Sequence, residues 1–99
     1  MDYDSIKIGT VVTSLAGRDK GRSFIVVGQC DANHVYVADG MLRKLENPKK
    51  KKLRHLKLHN EVADSIRVKI SEEKQVFNAE IRKCLLSLGF NHDKISEED

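Results

Sequence analysis

Apolar residues cluster early in the chain, in three short runs at residues 8–14, 23–30 and 35–38. Val, Ile, Thr, Tyr and Phe dominate these runs and suit a pleated, half-buried surface, so three β-strands are predicted. Side chains alternate along a strand. Val35 and Val37 therefore share the inward face, Tyr36 takes the outward one, and one of Val11 and Val12 enters the core. Phe24-Ile25-Val26-Val27 is apolar on both faces, as in a central strand. Gly28 ends that run at a bulge or sharp curl, and Gly9 supplies a bend or a close backbone approach. Gly17 and Gly21 make a turn at residues 16–22, and a second turn spans 31–34. Asp39-Gly40 tolerates positive φ and predicts a tight hairpin. A fourth strand is expected at residues 41–46, stopped by Asn47-Pro48, and a short fifth at 53–58, with an exposed lysine loop between them.

The pattern changes near residue 60. Val62, Ala63, Ile66 and Ile70 recur at helical spacing behind Asn60 as N-cap. Residues 66–70 also alternate like a strand, but helix is the preferred reading. After a connection at 71–77, Ile81, Leu85 and Leu88 line one face of a clearer second helix, with Cys84 beside them. Glu80 complements its dipole, Gly89 stops it, and Phe90 folds back as an anchor. From about residue 91 the chain is polar and acidic, and is expected to fray. The predicted class is mainly β with C-terminal α: a barrel-like unit over residues 1–58, and a helical extension over 59–99 packed on it.

Ninety-nine residues make one small domain. No apolar run approaches the ~20 residues of a membrane span. The acidic start Met1-Asp2-Tyr3-Asp4 does not look secretory. Cys30 and Cys84 lack partner spacing and read as reduced thiols of a cytoplasmic protein. The net charge of +3 is unevenly spread. Residues 1–42 carry −1, residues 43–59 carry +7, and residues 60–99 carry −3. The basic segment contains Arg43, Lys44, Lys49, Lys50, Lys51, Lys52, Arg54 and Lys57. Such crowding costs self-repulsion, which a polyanion relieves while counterions are released. The plain alternative is a solvated lysine loop.

Val11-Val12, then Ala16-Gly17-Arg18-Asp19-Lys20-Gly21, an apolar run, a turn, and Val35-Tyr36-Val37-Ala38-Asp39-Gly40 together resemble the KOW motif of ribosomal proteins and transcription elongation factors. The likeness is to the KOW proteins grouped with the fourteenth large-subunit ribosomal protein of archaea and eukaryotes. It spans residues 8–58, roughly half the chain. The resemblance implies a small SH3-like five-stranded barrel, followed here by two short helices that lie outside the matching part. It also implies RNA at two basic loops, and through them ribosomal RNA or the translation machinery. Gly17 and Gly21 would let a nucleic-acid backbone approach, Arg18, Lys20 and Arg22 would meet phosphates, and the 43–57 cations would supply affinity. Tyr36 either stacks on a base or covers surface.

A second reading is a protein-interaction module that docks partners, the ribosome included, through Ile81, Leu85, Leu88 and Phe90. The free chain is expected to be a monomer with no cofactor. The spacings His55/His59 and Cys30/His34 complete no zinc signature. No nucleophile–base set or phosphate loop is present, since Gly21 is followed by Arg22-Ser23 and a strand. No catalytic residue is assigned.

Overall fold

The computed structural model describes residues 6–94. Five antiparallel strands run β1 Thr10–Ser14, β2 Ser23–Asp31, β3 His34–Ala38, β4 Lys49–Lys52 and β5 Leu56–Val62. A 3-10 turn, Leu53–His55, joins β4 to β5, and the helices α1 Asp64–Ser71 and α2 Asn78–Ser87 follow. The sheet order is β4-β3-β2-β1-β5. The edge strands β4 and β5 are not paired with each other among the described residues, so the sheet is not closed.

Both sheet faces are buried, which explains the continuous apolar runs. On one face Val12, Phe24, Val26, Val35 and Val37 pack with Leu53 and Leu56. On the other, Val11 and Ile25 meet Ala63, Ile66, Ile81 and Leu85 from the helical segment. Val11 and Val12 are therefore both core residues, because the helices cover what would otherwise be a wet face. Gly28 marks an irregularity as predicted: Val26 pairs with Val37 and Gly28 with Tyr36, leaving Val27 unpaired.

Three boundaries differ from the sequence reading. Residues 41–46 form no strand. The Asp39 carboxylate accepts the backbone N–H groups of Met41 at 3.0 Å and Arg43 at 2.7 Å. Asp39 and Gly40 both donate to the Arg43 carbonyl. Those groups close a compact loop instead of entering a ladder, so Asp39-Gly40 opens no tight hairpin. The fourth strand is the lysine run itself, expected as a loop, with Val37 opposite Lys49 and His34 opposite Lys52. Lysines blunt an edge against pairing with another chain. The fifth strand does not begin at 53. Leu53–His55 is a 3-10 turn, and β5 runs on to Val62 because β1 continues to offer it a ladder. Asn60 is thus a strand residue, not a cap. Between the pairs Thr10–Val62 and Val12–Leu58 the register slips, so more residues of β5 than of β1 fill the interval.

Helix is observed over Ile66 and its neighbours, with Ile66 1% exposed. Gly9, at φ 97°, donates to the Val26 carbonyl and accepts from Ala63, tying β1 to β2 and to the start of α1. The end of α2 is a Schellman motif: Gly89 N–H donates to Leu86 and Phe90 N–H to Leu85. Residues 91–94 are not frayed. Asn91, at φ 62°, accepts from Ser23 N–H at 2.9 Å and donates to the Ser23 carbonyl at 2.8 Å. Its side chain thus acts as a strand partner at the head of β2. The rest of the predicted acidic tail lies outside the described residues.

Candidate nucleic-acid interface

The loop at residues 16–22 is held by its own backbone. Gly21 N–H donates to the Ser14 carbonyl, and Arg22 N–H to that of Asp19. Gly17 and Gly21 have φ of 77° and 88°, a conformation that glycine alone adopts at little cost. A Cβ on either would meet nothing within 4 Å, so both leave bare backbone facing solvent.

Asp19, between two exposed cations, turns inward and is 3% exposed. Its carboxylate accepts Arg43 Nε at 3.1 Å and Nη2 at 3.3 Å, and lies 3.3 Å from Lys51 Nζ. Burial pushes its pKa up, but the Arg43 and Lys51 hydrogen bonds outweigh that and hold it below the ordinary value. One carboxylate therefore joins the β1–β2 loop, the 39–47 loop and β4. Leu15 N–H donates to the His55 carbonyl at 2.8 Å, which brings the 3-10 turn to the same place. Arg22 is spoken for as well: its Nη1 lies 2.6 Å from the Asp39 carboxylate, whose side chain is 1% exposed.

The predicted site residues thus divide. Arg22, Arg43 and Lys51 are turned toward buried carboxylates and hold loops together. Arg18, Lys20, Lys44, Lys49, Lys50, Lys52, Arg54 and Lys57 are exposed. Lys57, opposite Thr13 on β5, belongs to the edge strand across the sheet from the lysine run. Tyr36 is half-buried, directly across from Lys50, and the Cys30 thiol beside it raises its hydroxyl pKa.

Sequence reasoning missed Asp19, Asp39 and Asn91. The only signal for Asp19 is an acid placed inside a basic turn. The face offered for protein docking is occupied: Ile81 and Leu85 are 0% and 1% exposed, and Leu88 and Phe90 pack against the same core. His59 donates to or accepts from Thr13 Oγ1 at 2.7 Å, Thr13 meets Ser23 Oγ at 2.7 Å, and Phe90 lies against the imidazole at 4.8 Å between ring centroids. Among the described residues no three His, Cys, Asp or Glu side chains converge as metal ligands, and no helix is long and apolar enough to cross a membrane. No protein-family model matches the chain, and no curated protein does.

Proposed function

We propose that this is a non-catalytic RNA-binding protein built on a KOW-type, SH3-like barrel scaffold, acting on ribosomal RNA or within the translation machinery. The observation that carries the reading is the Asp19 junction. It brings a bare glycine loop bearing Arg18 and Lys20 alongside the strand bearing Lys49, Lys50 and Lys52. Exposed cations therefore stand on both elements that the junction joins, beside glycine backbone open to a phosphate chain. The barrel and the translation setting rest on the KOW resemblance; the open five-stranded sheet, with its edge strands joined by one 3-10 turn, is compatible with that scaffold.

Affinity of this kind comes from phosphate contacts and released counterions. If about five phosphates are met, binding to structured RNA falls by roughly a hundredfold or more between about 50 and 200 mM salt. A titration that stays flat with salt contradicts the reading.

A further inference from the structure

Resting on the RNA-binding reading, we propose that the hollow between the β2–β3 turn and the end of β4 receives a single unstacked nucleotide of the RNA. Its base lies on Tyr36 and its phosphate lies between Lys52 and Arg54.

The register sets this up. Tyr36 pairs with Lys50 and His34 with Lys52, so the four side chains share one face of the β3–β4 ribbon. On the other side, Tyr36 pairs with Gly28. A Cβ at Gly28 would sit 3.6 Å from Tyr36 Cδ2, so the ring leans over bare backbone, with the β2 side chain of Cys30 at its hydroxyl. The helices bury the sheet face around Val11 and Ile25, but Tyr36 is only half-buried and Lys50 and Lys52 are exposed. Two positions along the ribbon from the Tyr36–Lys50 pair, His34 and Lys52 line a cavity of about 310 Å³ together with Asn33, Leu53 and Arg54. That volume is of small-ligand size, and Leu53, 2% exposed, gives it a fixed apolar wall. The nearby carboxylate of Asp31 is occupied, accepting His34 Nδ1 and Asn33 N–H at 2.8 Å each.

An aromatic ring next to two cations matches one nucleotide: a π-face for any base and charge for its phosphate. Bases inside an A-form helix cannot reach such a ring, so the site selects loops, bulges or single strands.

The test uses the full chain with two RNA probes, a single-stranded oligonucleotide carrying 2-aminopurine and a blunt duplex of similar total charge. Wild type should bind the single strand more tightly and quench its fluorescence. Tyr36→Ile keeps a strand-forming side chain over Gly28 but removes the ring. It should weaken single-strand binding roughly tenfold or more and abolish the quench, with the salt slope unchanged. Tyr36→Phe should behave as wild type. Lys52→Ala with Arg54→Ala should keep the quench but flatten the slope by about 0.7, as one phosphate contact is lost. Melting curves confirm that each variant is folded. Salt-dependent binding that Tyr36→Ile leaves intact overturns the nucleotide site and spares the RNA reading. No salt-dependent binding by wild type to either probe overturns both.

Discussion

Asp19 shows how one side chain changes the meaning of its neighbours. It follows Arg18 and precedes Lys20, yet its carboxylate leaves solvent for Arg43 and Lys51. Removing the charge from a buried carboxylate strands the cations it paired. Asp19→Asn should therefore lower stability by about 3 kcal/mol, a drop of roughly 10 °C or more in melting temperature for a domain of this size. A shift of only a degree or two would mean that Arg43 and Lys51 find water instead. His59 makes the opposite kind of prediction. Burial first, and Lys57 second, hold its pKa below 6.5. The unfolded chain then binds the proton at a pH where the folded chain does not. Its share of stability is complete above the unfolded pKa and is lost as pH falls through and below it. Melting temperature should fall between about pH 7.5 and 5.5, and His59→Gln should flatten that window. Asp19, whose pKa is depressed from 3.8, contributes only to loss at lower pH, so the two effects separate.

Among the elements, the 39–47 loop best shows what pattern reading reaches and what it misses. Its apolar residues suggested a strand, but the carboxylate of Asp39 takes up the N–H groups a ladder needs. The loop is then bolted to α2: Asn78 Oδ1 accepts from Leu45 N–H, and Arg82 donates to the Gly40 carbonyl. Gly40, at φ 77°, lies so close that a Cβ would strike the backbone carbonyl of Asn78. Gly40→Ala should thus cost about 3 kcal/mol, left-handed strain plus separation of loop and helix, whereas Gly17→Ala should cost only about 1 kcal/mol of strain. Denaturant melts of the two variants decide this, and equal losses would remove the contact from the account. Strands β1 to β3 and the helix from residue 78 were legible because their apolar periodicity is local. The lysine strand was not. Its pairing comes from β3 across the ladder and not from its own side chains, which read as loop. Asp19, Asp39 and Asn91 were illegible for a related reason: the partners that draw their side chains inward, Arg43, Arg22 and Ser23, stand from 17 to 68 residues away.

At the scale of the molecule, the positive charge falls into two populations with different work. Arg22, Arg43 and Lys51 face buried carboxylates and belong to the fold. Lys49, Lys50 and Lys52 stand on an edge strand, none in an ion pair among the described residues, and repel one another. If they exist for a polyanion, replacing these three with Thr, which favours strands, should leave the melting temperature unchanged or raise it slightly. The same variant should flatten the salt dependence of RNA binding by about 2 to 3 in slope and weaken all sequences alike. Lys51→Ala should do the reverse, destabilising the protein because it removes a partner of Asp19. If instead the lysines serve only to keep an exposed edge from pairing with another chain, the triple variant will self-associate and its salt slope will not move. Sedimentation and RNA titration on the same preparation distinguish these outcomes, because a blunted edge and a phosphate track place the same residues under different loads.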